Sequence, residues 1–262
     1  MSSFLLMEIE NIDRRWTEVD RLIDEATNSK EIDSELYDIM CRAASVMMSA
    51  HFEGFMKDIV KAILKDANSI LGYENMPKSV KNTFASYYLC VDDSNKEYNK
   101  LSKLNNILDS TNVEVVSEPF ILPNKNPKAS VIKTISKRFG IDDFFGFIHH
   151  SKLDLVFENS RSETEEFLSE FRSKIVENIE QVPYKFAYDR YDIKKRPSSE
   201  KNTKTLFEEF LEEFLQIRHS IAHGNNMQNS VSDVRLNEIK QKLKILQLAF
   251  VVLVSKPFSS SV

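Results

Sequence analysis

The chain has 262 residues, 42% of them hydrophobic and 29% charged, with a formal net charge of −5. This is the balance of a soluble globular protein of one large domain or two small ones, and the acidic excess excludes a wholesale electrostatic grip on nucleic acid while allowing a local basic patch. Five glycines and seven prolines leave long stretches free of both, which favours helices over turn-rich β architecture. Phe4 to Thr27 predicts an amphipathic helix, with Leu5, Ile9, Ile12, Trp16, Val19 and Ile23 spaced by three and four. Glu35 to Leu71 predicts a long second helix with Met48, Phe52, Phe55, Ile59 and Ile63 on one face, closed by Gly72 as a left-handed cap. Pro77 opens a further helix towards Leu89.

The middle is less regular. "VEVVSEPFIL" (Val113 to Leu122) is β-branched but contains Pro119, and reads as a loop or a short edge strand. "NPKASVIKTISKRFGID" predicts a short helix closed by Gly140, and "DDFFGFIHHSKLDLVF" a shorter one. Ser162-x-x-Glu165 is a capping-box pattern opening a helix to about Gln181, and Thr205-x-x-Glu208 is a second. Behind it Leu206, Phe210, Leu211, Phe214, Ile217 and Ile221 point inward, up to a stop at Gly224. Ser230-x-x-Asp233 begins a last helix to about Val254, ended by Pro257. The expected fold is an all-α helical bundle in a single domain spanning 1–262. Its core is 4–72 and 203–255, and 73–200 is an irregular embellishing insertion.

Cys41 and Cys90 form no C-x-x-C pair, which argues against a zinc ribbon or a dithiol redox centre. The start "MSSFLLMEIENIDRRW" is not a secretory signal, and "LAFVVLV" is far short of the ~18 residues that span a bilayer. The expected location is cytoplasmic.

The chemistry concentrates in "QIRHSIAHGNN", Gln216 to Asn226. The spacing of Arg218 and His223 is weak by itself. Its context is stronger: His223 falls in the last turn of an amphipathic helix, where unsatisfied carbonyls and the helix dipole favour a cation near neutral pH. Five helical positions rotate by about 140° net and rise ~7.5 Å, so the two side chains do not stack on one face. A tightened helix end, or a cleft shared by two subunits, would bring them together.

"RHSIAHG" resembles the R-x-x-x-x-H signature of HEPN-domain proteins, and its Ile-Ala-His-Gly ending resembles the RiboL-PSP-HEPN branch. "ASVMMSAHFEGFMKDIV" and "NPKASVIKTISKRFGID" are similar to segments of that branch. The resemblance spans about 35 to 255. The residue after the arginine, often asparagine in the family, is His219 here. The resemblance implies a metal-independent endoribonuclease that needs no cofactor. It implies a homodimer whose motifs face each other, acting as a toxin or antiviral defence effector with an antitoxin as partner. His223 would then transfer protons, Arg218 would clamp phosphate, His219 would support them, and Glu53 would orient Arg218 or a histidine. A non-catalytic HEPN-like module binding RNA or protein is the alternative.

Other clusters have plainer readings. His219 and His223 are an i, i+4 pair, a spacing used in helical zinc sites, but H-E-x-x-H is absent and a third ligand would have to come from His149, His150 or Glu53. No metal is therefore expected. His149 and His150, placed on a helix, would point about 100° apart and serve as surface or packing residues. His51 is expected to be structural or exposed. Lys185, Arg190, Lys194, Lys195 and Arg196, interleaved with Tyr184, Phe186, Tyr188 and Tyr191, form the candidate RNA-guiding loop. Its bland reading is a solvated loop with its aromatics tucked into the bundle. Glu208, Glu209, Glu212 and Glu213 are most simply a solvated helix face, open to a basic antitoxin.

Overall fold

The computed structural model describes residues 2–90, 98–122, 126–186, 188–200, 203–222 and 231–259. Nine α-helices run through the described residues: α1 (Phe4–Ser29), α2 (Ser34–Ile70), α3 (Lys78–Tyr88), α4 (Tyr98–Leu108), α5 (Ala129–Arg138), α6 (Phe144–Ile148), α7 (Arg161–Ile179), α8 (Leu206–Ala222) and α9 (Asp233–Val254). There is no strand among them, only one isolated bridge between Tyr184 and Ser259. The all-α expectation is met. No helix among the described residues is long and apolar enough to cross a membrane.

The long pair α1 and α2 pack along each other, and α9 lies against α1, α2, α7 and α8. This explains the "LAFVVLV" run. It belongs to a helix enclosed by the bundle, with Ile245 through Val254 buried. Such a helix must be apolar nearly all round. Its few buried polar side chains find partners. Gln247 accepts from the Trp16 indole at 2.8 Å, and Gln241 donates to the Arg161 carbonyl at 3.1 Å. The predicted inward rows of α1 and α2 are buried.

The amino terminus of α1 is held by a carboxylate from α2. Asp66, buried at 3% exposure, accepts the main-chain N–H groups of Phe4 and Leu5 at 2.8 and 3.0 Å and the Tyr184 hydroxyl at 2.8 Å. These are groups that a helix start otherwise leaves unpaired.

Several local expectations are corrected. α2 ends in extended backbone at Leu71, and Gly72 has φ −70°, so it is no left-handed cap. Gly140, at φ +90°, is one, as expected after α5. The capping box of α7 is Ser160 with Glu163, two residues before the expected one. α9 starts at Asp233 with Ser232 as its N-cap, whose hydroxyl accepts the Arg235 N–H at 3.2 Å, and Ser230 lies outside the described residues. Val113 to Leu122 is loop. α4 was not anticipated: of its 11 residues only Leu101 is buried, so its apolar stripe is too thin to read. α7, which falls in the stretch assigned to the insertion, packs on α9 and α1 and is part of the bundle.

Candidate active site

α8 carries the motif and is fixed firmly at its start. Thr205 and Glu208 bond reciprocally: the Glu208 carboxylate accepts the Thr205 N–H and hydroxyl, each at 3.0 Å, and the Thr205 hydroxyl accepts the Glu208 N–H at 3.4 Å. Glu208 also pairs with Lys133 of α5 and is buried, which corrects its expected place on a solvated face. Glu212 and Glu213 pair with Lys204 and Arg235. Leu206, expected inward, is 40% exposed, and Phe207 is buried instead.

This anchor has a measurable signature. Thr205→Ala is expected to cost about 1 kcal/mol, read as a melting temperature lower by roughly 2–4 °C. Burial pushes the Glu208 carboxyl up, but the Lys133 pair and the Thr205 hydrogen bonds outweigh it and hold the pKa below the ordinary 4.5. The stabilisation is therefore full above that ordinary value and is lost as pH falls through the lowered one. Acid melting curves of Glu208→Gln should be flatter below about pH 4.5 than those of the unsubstituted protein, and parallel curves would remove Glu208 from the account.

Towards the other end of α8 the packing loosens. Phe210, Leu211 and Phe214 are buried, whereas Ile217 and Ile221 are only half-buried. Arg218 is half-buried, and its guanidinium has no hydrogen-bond or ion-pair partner among the described residues. His219 is exposed beside it. His223 and Gly224 lie outside the described residues, so the histidine of the motif and the helix stop remain expectations from sequence.

Glu53, on α2, bonds Lys57 one turn along at 2.7 Å. That is an ordinary i, i+4 pair, and no hydrogen bond or ion pair joins Glu53 to Arg218 among the described residues. His51 is half-buried, 3.4 Å from Glu18, and burial lowers its pKa against the pull of that carboxylate.

The expected RNA-guiding loop is largely inward-facing. Tyr184, Phe186 and Tyr191 are buried, and Tyr188 is half-buried with its ring beside Phe186. Their π-faces are spent on the bundle, so they do not offer a stacking platform. Arg196 is a correction of the same kind. Its Nε and a terminal nitrogen donate to both Asp143 oxygens at 2.8 and 3.2 Å, its other nitrogen donates to the Thr203 carbonyl at 2.7 Å, and the side chain is 4% exposed. A guanidinium so enclosed does not reach RNA. Arg190 is exposed but paired with Glu170. Lys185, Lys194 and Lys195 are exposed.

A cleft of about 1550 Å³ lies elsewhere. It opens between α3, α4 and α5, with Lys78, Lys81, Asn82, Asn105, Lys137 and Arg138 on its walls, and Arg218 does not line it.

In comparison with known proteins, a family model described as RiboL-PSP-HEPN matches residues 10–159, more than half of the chain. The match runs from α1 to the 3-10 turn before α7, so it covers α2 but stops short of α7, α8 and Arg218. No curated protein and no solved structure matches.

Proposed function

The chain belongs to the RiboL-PSP-HEPN family, a family with an RNase-like or RNA-binding role, and from that we propose that it is a metal-independent endoribonuclease working as a homodimer. The observation that carries this reading is Arg218: a half-buried arginine whose guanidinium has no described protein partner, in the last turns of α8. A guanidinium without a described counter-charge fits a phosphate clamp, where the RNA supplies the counter-charge. His223 follows five positions later in the sequence.

The reaction uses only protons and the RNA itself. A histidine takes the proton of a ribose 2′-hydroxyl, and the 2′-oxygen bonds to the adjacent phosphorus. The bond to the 5′-oxygen breaks, and that oxygen takes a proton from a second acid, supplied by the facing copy of the motif. Negative charge gathers on the phosphoryl oxygens, where the Arg218 fork meets it. The products are a 2′,3′-cyclic phosphate and a 5′-hydroxyl. Support for a second copy comes from α2, the helix packed on α8. It shows Ile39 and Val46 to solvent, 44% and 37% exposed and seven positions apart on one face. A toxin or defence role, with an antitoxin as partner, completes the proposal. Lys185, Lys194 and Lys195 remain the candidates for RNA contact beside the site.

The test is the chemistry of the ends. The purified chain incubated with a labelled RNA is expected to leave 2′,3′-cyclic phosphate and 5′-hydroxyl termini. Termini bearing 5′-phosphate and 3′-hydroxyl would overturn the mechanism, and intact RNA would favour the non-catalytic binding module.

A further inference from the structure

His149 and His150 do not sit on a helix. α6 ends at Ile148, His149 continues in extended backbone, and His150 turns with φ +58°. A left-handed conformation is unusual for histidine. Here it folds the second ring back over the first, with centroids 3.7 Å apart. The turn is secured by Asp154, whose carboxylate accepts the His150 N–H at 2.7 Å and lies 3.7 Å from His149 Nδ1. Glu200 arrives from a 3-10 turn fifty residues later and stands 3.7 Å from His150 Nε2. The Arg196–Asp143 pair clamps that later segment against α6, since the Arg196 N–H also donates to the Gly146 carbonyl at 3.2 Å.

A distance of 3.7 Å is too long for a hydrogen bond. His149 Nδ1 and Glu200 Oε2, and also the second Asp154 oxygen, Oδ1, are buried polar atoms without a hydrogen-bond partner. Six buried side-chain atoms are unpartnered among the described residues, and these three share one cluster. Orphaned buried polar atoms are costly and call for an explanation. One ligand atom each from His149, His150 and Glu200 lies within 4.8 Å of the others. Two ligands bound at ~2.0–2.1 Å in a tetrahedron stand roughly 3.3 Å apart, so side-chain rotation of about an ångström closes the set.

We propose that His149, His150 and Glu200 bind a divalent transition-metal ion of the zinc class, with the Asp154 carboxylate supporting His149. Two imidazoles with one carboxylate suit zinc rather than the all-oxygen shells of magnesium or calcium. A carboxylate beside a ligating histidine is the usual outer partner of such sites. Arg218 is not one of the cluster's residues. The ion takes no part in the proposed cleavage. It would pin the 198–200 turn to the end of α6 and so steady the segment that leads into α8.

The experiment is zinc binding by the full chain after chelation and dialysis, followed by equilibrium dialysis with Zn²⁺ alone and metal analysis. One zinc per chain is expected. His150→Asn tolerates the left-handed backbone and Glu200→Gln keeps the shape, so both variants should fold, as a melting curve will verify, while binding at least ten-fold more weakly. His219→Ala should bind as the unsubstituted protein does. This pattern supports the site. No stoichiometric zinc in the unsubstituted chain, undiminished binding in either ligand variant, or loss of binding in His219→Ala overturns it.

Discussion

Arg218→Ala is expected to lower RNA cleavage by about 10²–10³-fold, the usual loss when one preorganised donor to a transition-state oxyanion is removed. Stability should change by no more than roughly 0.5 kcal/mol, because the side chain is half-buried and leaves no described partner behind. That separation decides the case. A purely structural arginine would show its loss in the melting temperature and leave the rate alone. Arg218→Lys should recover only part of the rate, since an ammonium keeps the charge but not the planar fork that meets two phosphoryl oxygens together. His223→Ala should match the alanine variant of Arg218 in rate, whereas His219→Ala, removing an exposed supporting group, should cost under about ten-fold. Cleavage by Arg218→Ala at the unsubstituted rate would end the phosphate-clamp assignment.

The largest effect on stability is expected at the buried pair. Asp143→Ala strands the Arg196 charge in a site where the side chain is 4% exposed, at a cost of about 3–5 kcal/mol. It also removes the cap of α6, where Asp143 accepts the Gly146 N–H at 3.1 Å. Gly146→Ala attacks the same pair sterically. A Cβ there would stand 2.1 Å from an Asp143 oxygen and 2.6 Å from Arg196 Nε, so the pair would have to open. This is why a glycine interrupts the aromatic run "FFGFI". Replacing both charges by apolar residues, as in Asp143→Leu with Arg196→Met, should recover much of the loss, because no charge is then left buried alone. Denaturant melts of the four proteins check this. A double variant as unstable as Asp143→Ala would mean that the hydrogen bonds to Gly146 and Thr203 matter more than the charges.

These two cases differ in what the sequence could reveal. α8 was legible because its burial repeats every three to four residues, and Phe210, Leu211 and Phe214 are inward as that period requires. Its start was legible because Thr205 and Glu208 are three residues apart and bond each other. Arg196 was misread. It stands among Lys194, Lys195 and Lys185, all exposed, and no local pattern distinguishes it from them. Its partner, Asp143, is 53 residues away in the chain. Tyr184 was equally opaque, since the carboxylate that accepts its hydroxyl belongs to Asp66.

The histidine pair shows the same limit from another side. Placed on a helix, adjacent rings diverge, and the separation of His149 from His150 followed from that premise. The chain leaves the helix one residue earlier, and His150 takes a positive φ. Glu200 then completes a cluster that no spacing announces.

By itself the sequence determined that this chain is helical, where most of its helices begin, and which faces they bury. All of these depend on interactions within about four residues, which helical periodicity and capping write directly into the order of amino acids. Only the tertiary structure decided which charged residues are spent inside. It buried Arg196 and Glu208 and left Arg218 half-buried without a described partner. It also brought His149, His150 and Glu200 together. A charge is inert or available according to what faces it, and what faces it is set by helices packed from distant parts of the chain.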